Sequence, residues 1–88
     1  MENAVDEAVA TIESAANGMA GATMVGDVAY AQTRHAEIAD AVKLLPEEVG
    51  TAILQKADNL LGACKQRNLN KGCELNISIS DLLAPFCD

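Results

Sequence analysis

The chain is poor in the residues that usually build a dense core. Its 88 residues include no Trp, one Tyr and one Phe, although half of them are hydrophobic. Many of those hydrophobic residues are Ala, which covers little surface. A chain of this length forms one domain, here residues 1–88, and a domain this small buries a limited fraction of its surface. Small folds often compensate by self-association, so we predict a homodimer.

Basic residues are also scarce, and none lies in the first third of the chain. Six Lys and Arg residues stand against 13 Asp and Glu residues, which gives a formal net charge of −7 and a pI of about 4.4. This balance argues against direct binding of nucleic acid and against binding to an anionic membrane. Residues 1–33 contain no Lys or Arg, whereas residues 56–71 contain four of them. The charge is therefore segregated along the chain.

Signals for secretion, membrane insertion and metal binding are missing as well. The start, "MENAVDEAVA", carries acids where a signal peptide needs basic residues, and no long apolar run follows. We expect a cytoplasmic protein whose thiols stay reduced, because a Cys73–Cys87 bridge would need an oxidising compartment. Cys64, Cys73 and Cys87 do not match the spacings of structural zinc sites, even with His35 added. We predict no metal and no cofactor.

Apolar residues three and four apart predict three helices that together form an all-α domain. The predicted ranges are 3–17, 27–45 and 46–68. Gly18 is the predicted stop of the first helix, and a glycine-rich loop follows it. Asp27 is the predicted N-cap of the second helix, and Pro46 is the predicted first residue of the third. The pairs Arg34–Glu37 and Asp40–Lys43 have the spacing of ion pairs on a helix.

The apolar faces of the second and third helices are predicted to fill the core or a dimer interface. The residues assigned to these faces are Val28, His35, Ile38, Val42, Ile53 and Leu60. His35 is the single histidine. A histidine in this place can act as a base, a metal ligand or a pH switch, but we interpret it as a residue at the edge of a helix contact.

The last segment, residues 73–88, alternates apolar and polar residues from Leu75 to Ile79. This alternation predicts a short extended strand, and a single helical turn from Asp81 follows it. A strand in a helical domain lacks a partner in its own chain, so we expect pairing with a second copy or with a target sheet. Alternatively, the segment packs against the end of the helices. The predicted fold is a three-helix bundle, or a helical hairpin plus an N-terminal helix, with a short extended, one-turn C-terminal tail.

No group of residues in the sequence predicts catalysis, so we expect a protein that is not an enzyme. We predict a small acidic module for protein–protein interaction, acting as a dimeric regulator or inhibitor of the kind that phages and mobile elements encode. One alternative is an acidic decoy that occupies a nucleic-acid-binding groove of a host complex, because carboxylates can replace phosphates. Another is a small subunit or adaptor of a larger assembly. The predicted partner-binding residues are Glu2, Asp6, Glu7, Glu13, Leu75, Ile77, Ile79, Leu82 and Phe86.

Overall fold

Four α-helices make up the part of the chain that the structure, a computed structural model, describes, namely residues 4–87. They are α1 (Ala4–Ala22), α2 (Val28–Ala41), α3 (Glu47–Lys65) and α4 (Leu69–Leu83), with 3₁₀ turns at Val42–Leu44 and Ala84–Phe86. Residues 4–87 contain no strand. The all-α prediction is confirmed. The predicted number of three helices is wrong, because a fourth helix occupies most of the predicted tail. None of these helices is long and apolar enough to span a membrane.

The four helices run alternately up and down in a bundle that measures 38 × 20 × 20 Å. Short connections force each helix to reverse direction, and α1 contacts all three of the others. One end of the bundle carries the start of α1, the end of α2 and the start of α3, and we call it the acidic end. The opposite end carries the loops at residues 23–27 and 66–68, and we call it the loop end.

The core lies on the bundle axis and receives large side chains from every helix. Those that are fully buried are Ile12, Met19, Ile38, Ile53, Leu60, Ile79 and Leu83. Helix α4 adds Leu75, Ile79 and Leu83, which the sequence analysis had placed in a tail. The shortage of large apolar residues that motivated the homodimer is therefore met within one chain. The homodimer stays a prediction.

The first helix runs past its predicted stop at Gly18 and ends at Ala22. Gly18 sits mid-helix, where a Cβ atom would lie 2.7 Å from the Tyr30 hydroxyl oxygen, so its small size serves close packing against α2. The chain reverses at Gly26 instead, where φ is +70° and glycine is favoured. Residues 23–26 form hydrogen-bonded turns.

The second helix begins as predicted, since the Asp27 side chain accepts a hydrogen bond from the Tyr30 N–H at 3.1 Å. This N-cap is confirmed. The helix ends at Ala41 and tightens into a 3₁₀ turn rather than continuing to Leu45. Helix α3 then starts at Glu47, one residue after Pro46, whose own ψ of 142° is not helical.

The third helix ends at Lys65, earlier than predicted, through a Schellman motif. Arg67 takes the left-handed position with φ of +53°, and the Asn68 N–H donates to the Ala63 carbonyl at 2.9 Å. The Asn68 side chain then accepts from the Lys71 N–H and caps α4. Gly72, which lies just past the predicted end of the third helix, is inside α4.

The predicted strand from Leu75 to Ile79 is wrong, because these residues are the middle of α4. Leu75 and Ile79 are four residues apart, so a helix places both on its buried face, while Ile77 lies outside and is 62 % exposed. The single turn expected from Asp81 is the continuation of the same helix. Residues 4–87 contain no strand, so the prediction that this segment pairs as a strand with a second copy or with a target sheet is wrong.

Candidate protein-binding site

A shallow groove of about 330 Å³ lies between α1 and α2 at the acidic end of the bundle. Three carboxylates stand along it, and small or apolar side chains line the rest. The lining residues are Glu7, Ala8, Thr11, Glu37, Asp40, Ala41 and Leu44. We call this surface the α1–α2 groove.

The groove exists because small residues of the two helices meet there. Ala8 and Ala41 are buried between the helices but fill little space. Leu44 belongs to the 3₁₀ turn that follows α2 and remains 51 % exposed. Leu44 therefore presents an apolar surface beside the groove that no other residue of the described chain covers, and a partner could bury it.

Two of the three carboxylates have partners three residues away in the chain. Glu37 pairs with Arg34 at 3.1 Å, and Asp40 pairs with Lys43 at 3.5 Å, as the sequence predicted. The first pair is partly buried and the second is exposed. Pairs at this helical spacing contribute about 0.2–0.5 kcal/mol each, so a ligand cation can replace Lys43 at small cost. Glu7 makes no ion pair with any residue of 4–87.

The acidic residues predicted on the first helix do not share one face. Glu7 lines the α1–α2 groove, whereas Glu13 lies on another side of α1 and accepts a hydrogen bond from the Cys87 Sγ at 3.6 Å. Six helical residues separate them, which turns their side chains about 120° apart. Asp6 is exposed, and Glu2 lies outside the described residues. Of the three predicted acids within residues 4–87, the groove therefore contains one, Glu7.

The tail residues predicted to bind a partner are mostly inside the bundle. Leu75 and Ile79 are buried, and Leu82 and Phe86 are half-buried against the core. Ile77 alone among the five is exposed. Contacts to a partner through Leu75 or Ile79 would require the bundle to open.

The residues assigned to the core or to a dimer interface lie mostly in the core of one chain. Ile38, Ile53 and Leu60 are fully buried, and Val42 is nearly so. Val28 and His35 are half-buried. His35 sits at the edge of the contact between α2 and α3, where its Nε2 is 2.5 Å from the Asp58 Oδ1.

Glu37, Asp40 and Leu44 were not predicted from the sequence as parts of a site. The spacing of the two acids predicts ion pairs, and it predicts no role for Leu44. A signal was present, because residues 37, 40, 41 and 44 are spaced for one face of a helix. What the spacing could not show is that this face meets Glu7 and Ala8 of α1.

A second shallow groove of about 320 Å³ lies between the 3₁₀ turn that follows α2 and the first half of α3. Its charged side chains are Lys43 and Glu47, which have opposite signs. It therefore has no net preference for a ligand of either charge, and the α1–α2 groove is the more selective surface.

No protein-family model matches the chain, and neither the curated proteins nor the solved structures include a significant match to it. Among residues 4–87, no three His, Cys, Asp or Glu side chains are grouped to hold a metal ion.

Proposed function

We propose that the protein is a small module for protein–protein interaction, a regulator that binds a basic amphipathic segment of another protein. The α1–α2 groove is the binding surface. The observation that carries this proposal is the half-exposed Leu44 beside carboxylates from two helices.

The groove suits a ligand that is apolar on one side and cationic on the other. An apolar side chain placed on Leu44, Ala8 and Ala41 would be removed from water, which is the main source of binding energy at such surfaces. A Lys or Arg beside it would pair with Glu7. The groove has room for one or two side chains, so a short segment and a transient complex are expected.

Fluorescence anisotropy with a defined probe tests the proposal. The probe is a labelled peptide of about 14 residues, four turns of helix, with Leu and Lys at helical spacing. Leu44→Ser should weaken its binding about fivefold, since about 1 kcal/mol of apolar contact is lost. Glu7→Gln should weaken it about two- to fivefold.

Two matched variants control for general effects. Ile77→Ser removes an exposed apolar residue on α4, and Glu48→Gln removes one negative charge on the exposed start of α3. Both should bind the probe as the wild type does. If these controls weaken binding as much as the groove variants do, the site is not the α1–α2 groove.

The acidic decoy predicts a different outcome from the same experiment. A decoy would act through charge, so its affinity should fall steeply with salt and should not respond to Leu44→Ser. The decoy has less support, because Glu7 and Glu13 lie on different sides of α1.

A further inference from the structure

The loop end of the bundle exposes two adjacent apolar side chains. Met24 is 66 % exposed and Val25 is 63 % exposed. We call this pair the Met24–Val25 tip. Single exposed apolar residues are common on protein surfaces. Two adjacent ones at the end of a bundle form an apolar patch whose hydration is unfavourable and which a partner could cover.

Hydrogen bonds hold the tip in place. The Ala22 carbonyl accepts from the N–H groups of Val25, Gly26 and Asp27 at 2.9–3.3 Å. Thr23, just before the tip, is fully buried, and its hydroxyl donates to the Ala20 carbonyl at 2.6 Å. A loop anchored in this way loses little conformational entropy when it binds, which favours association.

A basic side chain lies beside the tip. Arg67 packs against Gly26, where a Cβ atom would lie 2.7 Å from the Arg67 Nε. Lys65 and Lys71 are exposed at the same end together with Asp27, and the Lys71 Nζ is 4.0 Å from the Glu74 Oε2. The tip thus has the chemistry that the α1–α2 groove lacks, because it is apolar and has a cation, Arg67, beside it.

We infer that the Met24–Val25 tip of one copy docks into the α1–α2 groove of a second copy. The tip brings apolar side chains to Leu44 and the Arg67 cation to the carboxylates of the groove. The two surfaces are therefore locally complementary, although each copy carries a net charge of −7.

The topology allows this contact to be made twice in one dimer. The loop 23–27 joins the two helices that form the groove, and the groove lies at the far end of the same helix pair. Two copies that pack these pairs antiparallel bring each tip to the other groove, which closes a two-fold dimer. The inference shares its groove with the proposed function, so a basic partner segment and the dimer exclude each other.

Analytical ultracentrifugation of the full chain and two variants tests the docking. One variant, Met24→Ser with Val25→Ser, removes the tip, and the other, Leu44→Ser with Glu7→Lys, disables the groove. All four positions are exposed, so folding should persist. Each variant alone should raise the dissociation constant of the dimer at least about tenfold. Ile77→Ser, the matched exposed apolar change on α4, should leave it unchanged.

An equimolar mixture of the two variants is the decisive arm. It should associate more tightly than either variant alone, because an intact tip then meets an intact groove. The inference is overturned if the wild type is monomeric at about 100 µM, if the dimer survives both variants, or if mixing restores nothing. The tip variant should still bind the labelled basic peptide. Peptide binding without dimers defeats only the docking, and dimers without peptide binding defeat only the proposed function.

Discussion

At the scale of single residues, Gly72 shows how tightly the loop end is packed. A Cβ atom there would lie 2.8 Å from the Thr23 Cγ2, and Thr23 is fully buried. Gly72→Ala should therefore destabilise the protein by about 1–2 kcal/mol, since overpacking outweighs the better helix propensity of Ala. Chemical denaturation followed by circular dichroism measures the change in the free energy of unfolding.

Gly62 provides the matched control for this prediction. It also lies in a helix, but a Cβ atom there would meet nothing within 4 Å. Gly62→Ala should raise the free energy of unfolding by about 0.5–1 kcal/mol. If both substitutions stabilise the protein, the close contact between Gly72 and Thr23 is not present in solution. Repeating Gly72→Ala on a Thr23→Ala background should reduce its cost.

The three thiols are expected to differ in reactivity. Cys64 is buried, and burial together with the nearby charge of Asp27 raises the pKa of its thiol, so less of the reactive thiolate forms near neutral pH. Cys73 and Cys87 are exposed. Iodoacetamide at pH 8 should label these two in the native protein, and all three in urea, as counted by mass spectrometry. Rapid native labelling of Cys64 would show that the core opens readily.

The same two exposed thiols are too far apart to bridge. The ten residues from Cys73 to the end of α4 at Leu83 rise about 15 Å, whereas bridged Cα atoms lie within about 7 Å of each other. The Cys73–Cys87 bridge that the sequence left open thus requires α4 to unfold.

Among the helices, α2 has the start that the sequence predicted best, because an N-cap residue marks it without a competing interpretation. Asp27 marks the start of α2 in the sequence and in the structure alike. Helix α4 was missed because Leu75, Ile77 and Ile79 fit a strand of period two, while Leu75, Ile79, Leu82 and Phe86 fit a helix. A pattern so short satisfies both periods. Packing decides, since only the helix brings Leu75, Ile79 and Leu83 to the core.

A proline at position 77 distinguishes the helix from the predicted strand. Ile77 is in the interior of α4, so Ile77→Pro removes a helix hydrogen bond and clashes with the preceding turn, which costs about 3 kcal/mol or more. Helicity and melting temperature should both fall in circular dichroism. Ile77→Ser, at the same exposed position, should change stability by less than about 0.5 kcal/mol. Unchanged helicity in the proline variant would mean that residues 75–79 are not helical.

Glycines are the other place where local rules and tertiary structure disagree. Gly18 is predicted as a helix stop, yet Gly18 and Gly72 both lie inside helices, where a neighbouring side chain occupies the space that a Cβ atom would need. The real stops are Gly26 and Arg67, which have positive φ. Sequence alone cannot separate a glycine needed for its conformation from one needed for its size, because that depends on Tyr30 and Thr23 across the helix contact.

At the scale of the whole molecule, charge and apolar exposure are both divided between the two ends. The acidic end holds Leu44 among carboxylates, and the loop end holds Met24 and Val25 beside Arg67. The sequence predicted the charge segregation from residues 1–33 and 56–71. The sequence could not predict that the basic segment, residues 56–71, would lie beside the 23–27 loop. This proximity arises because the end of α3 and the start of α2 lie at the same end of the bundle.

A substitution in the core distinguishes whether the apolar faces of α2 and α3 are buried within one chain or against a second copy. Leu60 is fully buried within one chain, so Leu60→Asp would leave an unpaired charge in the core. That costs about 3–5 kcal/mol, a large part of the 5–15 kcal/mol that typically stabilises a whole domain, so much of the variant should be unfolded. Circular dichroism should show helicity lost to the same extent in dilute and concentrated samples.

Ile77→Asp is the control, because it places the same charge on an exposed position of α4 and should leave the protein folded. A dimer interface at Leu60 would behave differently. The Leu60→Asp variant would then be a folded monomer with wild-type helicity, and only its sedimentation would change. Because Ile53 and Leu60 face the same bundle axis, Ile53→Asp should unfold the chain as Leu60→Asp does. Agreement between these two variants, at concentrations where the wild type is monomeric, would place the whole stabilising core inside one copy.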